Sequence, residues 1–412
     1  MKILILTGDA KTLIYHRGEL IKSFAAQGLK VVAAASQDLD YVSKFMMAQG
    51  GHYRTVNLDR TSLNPLHDIK AILSIQRLIR QEKPDIIFSY AIKSVIYGSI
   101  LAKLNGVAHR YALVPGLGYA FTPDGTWKQR FVCWASTALY SLALRCVDKV
   151  FLQNHDDDKL LRERNILPTR IPSHVTLGSG VKLDEFQYQQ RDFQSGPLRC
   201  VLVTRLLRKK GVVEFAEASR LLKDRECDIQ FDLVGPLDSS PDGIPAEQVR
   251  NWEEEGLLTY HGETRDVASF LNQAHIFVLP TYYREGVPRS ILEALSSGLA
   301  IVTTDAVGSR ETVRLTKSGR IEKENGADVI QGENGFLVRP HSADAVAQVL
   351  QLMNGNRARV AELGRASRML AEQQFDVRRV NAGILNQMGF EAPNLFVVPE
   401  TTPEVEESAE AA

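Results

Sequence analysis

The chain has 412 residues, and its 49 Lys and Arg are matched by 49 Asp and Glu, so its length points to two sizeable cores and its charge gives no support to a nucleic-acid partner. Cys133, Cys146, Cys200 and Cys227 are scattered without a Cys-x-x-Cys pair, which excludes a disulfide framework and reads as buried thiols in a reducing cytosol. The uncharged run at residues 131–144 is shorter than the roughly 20 residues that a membrane-spanning helix needs.

The opening Met1-Lys2-Ile3-Leu4-Ile5-Leu6 is soon followed by Gly8-Asp9 and reads as a first strand, not a signal peptide; the protein is expected to stay in the cytoplasm. Short runs rich in Ile and Val at residues 2–6, 29–35, 85–89, 111–114 and 149–152 alternate with helical stretches such as 17–27 and 68–81, the pattern of a doubly wound parallel sheet. Residues 1–185 hold 24 Lys and Arg against 16 Asp and Glu. That excess favours an anionic partner, and the run 131–144 with its basic flanks is either a core helix or a surface-lying segment on lipid phosphates. Asp156-Asp157-Asp158 follow Asn154 at a helix start and read as capping acids. Residues 187–197 are polar and Gln-rich, as in a linker.

From residue 198 the rhythm restarts, with strands at 199–204, 230–234, 258–260, 276–279, 300–303 and 335–338, then helices at 343–353, 357–373 and 376–387. The fold class is therefore α/β: two Rossmann-like, doubly wound domains facing a central cleft. The expected division is 1–186 for the first domain, 187–197 for the linker, 198–370 for the second domain and 371–390 for a C-terminal helix; residues 391–412, with no Lys or Arg, form an acidic disordered tail. A Lys/Glu/Gly-rich stretch between Val313 and Asn334 reads as a surface insertion.

The densest motif is Glu285-Gly286-Val287-Pro288-Arg289-Ser290-Ile291-Leu292-Glu293. It joins a strand to a helix over 290–295 that Gly298 stops, with Pro288 at a first helical position. Unpaired N–H groups at a helix start suit a diphosphate, and open α/β sheets bind ligands at strand C-termini. Gly286, Val287, Ser290 and Ile291 are accordingly donor-side candidates, with Glu285 in the loop and Glu293 on the helix. A second motif, Val201 to Gly211, carries Arg205, Arg208, Lys209 and Lys210. Gly8 after the first strand and Gly235 after Phe231-Asp232-Leu233-Val234 could let a ligand approach the backbone.

The first motif resembles the Glu-x7-Glu signature of retaining glycosyltransferases of family 4, which have the two-domain GT-B fold. The resemblance implies that Glu285 lies near the donor sugar and diphosphate and that Glu293 bonds the ribose hydroxyls. It also selects Arg205 and Lys210 as the cations that grip the diphosphate, and places Arg265 beside the base. Two fixed cations that stabilise a departing diphosphate do the work of a metal, so no metal or other cofactor is expected. Leu13 to Arg17, Thr61 to Pro65, Ala91 to Ser94 and Tyr111 to Thr122 are similar to a bacterial subgroup that extends glycans on undecaprenyl diphosphate, best known for α-1,3-N-acetylgalactosamine transfer from UDP-GalNAc. Tyr15, His16, Arg17, Lys93, Gly116 and Gly118 are then expected on the acceptor side. The implied partners are a UDP-sugar donor and a lipid-linked saccharide acceptor, with peripheral membrane contact through the basic N-terminal half.

Many members of the family carry a His after the fourth strand; here Val114-Pro115-Gly116 stands there, and Ile92 occupies a place where relatives can have His. His16 or backbone groups would serve instead. Two rival readings are a UDP-GlcNAc 2-epimerase of the same fold and a non-catalytic sugar-nucleotide or lipid-head-group binding protein. An NAD dehydrogenase is disfavoured, because the first strand leads to Thr7-Gly8-Asp9-Ala10 and not to Gly-x-Gly-x-x-Gly.

Overall fold

The computed structural model describes residues 1–58, 65–117, 127–316 and 329–391, without the side chains of residues 65 and 127–133. In the first half the strands are β1 (Lys2–Leu6), β2 (Lys30–Ala35), β3 (His52–Thr55), β4 (Ile86–Tyr90), β5 (His109–Val114), β6 (Lys149–Leu152) and β7 (Ser173–Val175). Between them run α1 (Lys11–Tyr15), α2 (Gly18–Ala26), α3 (Asp40–Ala48), α4 (Pro65–Glu82), α5 (Ile92–Leu104), α6 (Trp127–Leu144) and α7 (His155–Glu163). The strands lie in the order β3-β2-β1-β4-β5-β6-β7, every pair parallel. Alternate residues feed two cores: Ile3, Ile5 and Phe88 face one layer of helices, and Leu4, Leu6 and Ile87 the other. Helices on both faces explain why these strands read as unbroken apolar runs.

The second half repeats the plan with β8 (Leu198–Val203), β9 (Ile229–Val234), β10 (Thr259–Tyr260), β11 (Ile276–Leu279), β12 (Ala300–Thr304), β13 (Val329–Gln331) and β14 (Gly335–Val338). Its helices are α8 (Val212–Asp224), α9 (Ala246–Glu254), α10 (Val267–Gln273), α11 (Arg289–Ser297), α12 (Ala343–Gly355), α13 (Arg357–Leu370) and α14 (Val377–Gln387). The order is β10-β9-β8-β11-β12-β14-β13, parallel except for β13 against β14. Side chains of Asp266, Ser342, Asn356 and Asp376 cap α10, α12, α13 and α14, supplying acceptors for N–H groups that a helix start leaves unpaired.

Several expectations are corrected here. β3 and β7 were not anticipated: His52-Tyr53-Arg54-Thr55 is a largely exposed edge strand and Ser173-His174-Val175 is three residues long, so neither offers an apolar run to read. The segment after Val313 contributes β13 to the sheet, while residues 317–328 and the acidic tail from 392 lie outside the described residues. Cys146 and Cys227 are half-buried, unlike the buried Cys200. The uncharged run belongs to α6, which buries Tyr140, Ala143 and Leu144 and exposes Trp134, Leu139 and Leu142. Among the described residues no helix is long and apolar enough to cross a membrane.

The last helix among the described residues returns to the first sheet. After α13 a π-helical turn, Ala371–Phe375, leads to Phe375, whose carbonyl accepts the Val181 N–H at 2.8 Å. Then α14 lies against α2, with Val380, Ile384, Leu385 and Met388 in the same core as Leu20, Phe24 and Phe88. The Tyr111 hydroxyl reaches the Met388 carbonyl at 3.4 Å.

Candidate active site

The parallel strands of each sheet reverse their order once among the described strands: between β1 and β4, and between β8 and β11. At such a point neighbouring loops leave in opposite directions and open a crevice at the strand C-termini. The two crevices face one another across a cleft of about 660 Å³. The first domain lines it with Thr7, Asp9, Thr12, His16, Arg17 and Tyr90, among others; the second with Thr204, Arg205, Lys210 and residues 283–287.

Lys210 ends the 3-10 turn Arg208–Lys210, where Gly211 takes a left-handed conformation. Its ammonium is buried, forms an ion pair with the Glu285 carboxylate and lies 5.3 Å from the centre of the Tyr283 ring. The Lys209 carbonyl fastens the two loops together, accepting from Tyr282 N–H at 2.9 Å and Thr281 Oγ1 at 3.1 Å. Arg205 also lines the cleft, half-exposed, with Nη1 3.1 Å from Asp238. A buried cation and carboxylate therefore share the cleft with a second, freer cation.

The opposite wall holds Arg17, only 3% exposed, its guanidinium 5.7 Å from the centre of the Tyr90 ring. With the Gln153 amide oriented to satisfy both ends, Gln153 donates to the Pro115 carbonyl at 2.9 Å and accepts from Arg17 Nη2 at 3.1 Å. Arg17 Nε and Nη1 find no hydrogen-bond partner among the described residues. Desolvation lowers the Arg17 pKa to about 10, with Tyr90 opposing and Arg289 reinforcing the shift. The side chain still carries its charge at neutral pH. Two unsatisfied donors on a buried cation are costly unless an anion meets them.

His16 stands beside Arg17, open to the cleft yet enclosed by its two walls. That enclosure, then the charge of Arg289, then that of Arg17, push its pKa down to about 4. The imidazole is thus neutral at pH 7, and the stabilisation that follows from its lowered pKa is complete above the ordinary 6.5 and lost as the pH falls to about 4. An NMR titration is expected to place the His16 midpoint near 4 and to move it upward in Arg289→Gln. A midpoint at the ordinary value in the native protein would refute this description of its surroundings.

The loop carrying Glu285 touches the first domain directly. A Cβ on Gly286 would overlap the Pro115 carbonyl oxygen and the Gln153 side-chain amide, and one on Gly116 would stand 2.6 Å from the Gly286 nitrogen. Only two glycines allow these backbones to meet. Ala91, which follows β4 in the cleft wall, adopts φ 70° and ψ 150°, a conformation that costs a residue with a Cβ on the order of 1–3 kcal/mol.

Of the residues anticipated from sequence, Arg205, Lys210, Glu285, Gly286, Val287, Ser290, His16, Arg17 and Gly116 come together around this cleft. The others stand elsewhere. Tyr15 is exposed, and Lys93 is spent on Asp68 at 2.8 Å. Arg265 is exposed in the loop before α10. Gly8 lies between two lining residues without lining the cleft itself, its carbonyl accepting from Ser36. Gly235 approaches the Thr204 backbone, not open space, and Ile291 is a core residue whose N–H goes to the Pro288 carbonyl at 3.2 Å. Pro288 takes the N-cap position and α11 starts at Arg289. Glu293 sits one turn behind the cleft, accepting from Arg289 Nε at 2.8 Å; burial raises its pKa, Arg289 opposes the shift and Glu185 adds to it. Gly118 lies outside the described residues, as do residues 61–64 and 119–122.

Sequence reasoning missed Thr12, Tyr90, Gln153, Ser179 and Tyr283. They come from five separate segments and share no spacing. Arg289, inside the Glu285 motif, was legible and overlooked. The acids 156–158 were read as caps, but the cap is Asn154 and Asp156 and Asp157 face arginines of the second domain. Among the described residues no group of three or more His, Cys, Asp or Glu gathers as a metal site.

Two family models match the chain. Residues 2–154 match the glycosyl transferase 4-like model and residues 197–354 the glycosyl transferases group 1 model. The chain belongs to the family 4-like glycosyltransferases. As such it is a hexosyltransferase with the GT-B architecture. This glycosyltransferase is 28% identical over 348 residues to N,N'-diacetylbacillosaminyl-diphospho-undecaprenol alpha-1,3-N-acetylgalactosaminyltransferase of Campylobacter jejuni, covering 82% of this chain and 89% of the relative. It is 26% identical over 279 residues to UDP-Gal:alpha-D-GlcNAc-diphosphoundecaprenol alpha-1,3-galactosyltransferase of Escherichia coli, covering 65% and 70%. Among solved structures, Anabaena HepE in complex with UDP superposes with a TM-score of 0.71 at 16% identity, over 94% of this chain and all of that one. Sucrose-phosphate synthase of Thermosynechococcus elongatus gives 0.73 at 17%, over 94% and 98%.

Proposed function

We propose that this glycosyltransferase moves a sugar, a HexNAc such as GalNAc, from a UDP-sugar onto a hydroxyl of a polyprenyl-diphosphate-linked saccharide, with retention of configuration, in the assembly of a bacterial surface polysaccharide or glycoprotein glycan. The observation that carries this reading is the pairing of buried Lys210 with half-buried Glu285, set where the two switch points face each other, with Arg205 beside it and Arg17 opposite. Arg205 and Lys210 take up the negative charge that grows on the departing diphosphate, the interaction that strengthens most in the transition state. The acceptor hydroxyl attacks the anomeric carbon from the leaving-group side, so that its C–O bond forms as the C–O bond to phosphate breaks. Its proton passes to the departing phosphate oxygen. Neutral His16 supplies the hydrogen bond for which the family uses its own histidine, and Arg17 offers two unmatched N–H donors to a substrate phosphate. The two relatives that act on undecaprenyl-diphosphate-linked sugars support the acceptor class.

The site in this reading works at the inner face of the cytoplasmic membrane. Leu66, Ile69 and Leu73 form an exposed apolar stripe on α4, and Trp134, Leu139 and Leu142 are exposed on α6. The two helices flank α5, each in contact with it. Apolar side chains on a half with excess basic charge suit an anionic bilayer. The variant Ile69→Glu with Leu73→Glu is expected to lose most of its co-sedimentation with phosphatidylglycerol vesicles while keeping UDP binding; undiminished co-sedimentation would remove this face from the account.

The decisive assay incubates the protein with UDP- and GDP-sugars, with and without a polyprenyl-diphosphate-GlcNAc acceptor, in EDTA. The expected result is nucleotide release from one UDP-HexNAc that requires the acceptor. Sugar conversion without acceptor would replace the reading with an epimerase, and UDP binding without turnover on any acceptor would replace it with a binding protein.

A further inference from the structure

The first turn of α7 reaches across the cleft. Asn154 Oδ1 caps it through the Asp157 N–H at 2.7 Å, and Asn154 Nδ2 donates to the Glu285 carbonyl at 3.3 Å. His155 meets Glu311 through its N–H and Nδ1, both at 3.1 Å. Asp156 takes Arg310 Nη1 on both oxygens, at 3.0 and 2.9 Å. Asp157 accepts from Arg284 Nη2 at 2.7 Å. Four consecutive residues of one domain thus grip two segments of the other.

Asp157 is the anchor. It is 1% exposed, and its carboxylate also accepts from Asn154 Nδ2 at 3.0 Å and from the Leu117 N–H. Helix capping does not require such burial; first-turn acids act as well from water. A buried ion pair is a poor source of stability but a strict geometric device, because either charge left alone in the interior is costly. Arg284 immediately precedes Glu285, so the point where its guanidinium is held fixes where the Glu285 loop sits. We propose that Asp157 and Arg284 are positioning residues for transfer, docking the Glu285 loop onto the first domain and so setting the closed geometry in which Lys210 and Glu285 meet the donor. The kinetic part of this inference rests on the transfer reading above; the conformational part does not.

The test therefore reads both. Small-angle X-ray scattering with saturating UDP is expected to show a larger radius of gyration for Asp157→Asn and Arg284→Gln than for the native protein. With the UDP-sugar and lipid-linked acceptor, kcat should fall on the order of a hundredfold, as expected when a reacting group shifts by about an ångström. KM for the UDP-sugar should stay within about twofold. The double variant should be no worse than the poorer single one, because both remove one contact, and Asp157→Glu should recover part of kcat. Unchanged dimensions in a folded Arg284→Gln, or losses that multiply in the double variant, would overturn the assignment. Should Asp157→Asn fail to fold, Arg310→Gln combined with Arg284→Gln reports the same opening. Scattering needs no turnover, so a protein without transferase activity would still reveal or refute the docking.

Discussion

Lys210→Ala is expected to lower kcat by about 10²–10³, the usual cost of deleting one preorganised charge-stabilising donor. Lys210 is the buried cation on the second-domain wall of the cleft, and its ammonium is held from two sides, by Glu285 and by the face of Tyr283. In the ground state that pairing tolerates an intact donor; as the sugar–phosphate bond breaks, charge accumulates on oxygen and the ammonium gains most. Lys210→Arg should recover little, because a planar guanidinium cannot take the place of a compact ammonium against a ring and a carboxylate. UDP release at saturating donor and acceptor measures the effect, with a thermal melt to establish that each variant is folded. A folded Lys210→Ala that turns over at the native rate would remove Lys210 from the chemistry.

Gly286→Ala should lower the transfer rate on the order of a hundredfold while leaving UDP binding largely intact. The substitution adds a single carbon, but that carbon would occupy the space of the Pro115 carbonyl oxygen and the Gln153 amide. Both belong to backbone or to a side chain already committed on two sides, so the second-domain loop must retreat from the first domain. A displacement of about an ångström at reacting groups costs on the order of a hundredfold. Calorimetric UDP titration and single-turnover rates separate the two effects. Loss of UDP binding in step with the rate would mean that Gly286 serves the nucleotide alone; an unaffected rate would mean that the two domains need not touch here during catalysis.

The sequence was most readable where physics acts locally. β1, β6, β11 and β14 span the residues read for them, because a strand buried on both faces stands out as a nearly unbroken apolar run. The Glu285 motif located the cleft because a strand, a Gly-containing turn and a helix start are consecutive in the chain. What stayed hidden depends on distant partners. Arg17 and Gln153 meet only after two strands have been placed, and Asp157 looks like any first-turn acid until Arg284, 127 residues later, arrives beside it. Ile291 and Gly235 failed for the opposite reason: their local patterns fit a ligand site, and tertiary packing used them for a core and a backbone crossing. His16 shows a third case, since nothing in Tyr15-His16-Arg17 announces that enclosure in the cleft, reinforced by an arginine from another domain, will hold the imidazole neutral.

The return of α14 to the first sheet has a consequence for how the protein is made. Val380, Ile384, Leu385 and Met388 complete a core whose first strand begins at Lys2, and the Tyr111–Met388 hydrogen bond spans 277 positions. On the ribosome the second domain, whose sheet closes within residues 198–338, can therefore finish before the first one does, against the usual N-terminal-first order of vectorial folding. Until the last turns of helix emerge, α2 keeps an apolar flank open to water, and a nascent chain stalled or cut just before residue 377 would carry that flank as a chaperone-binding and degradation signal.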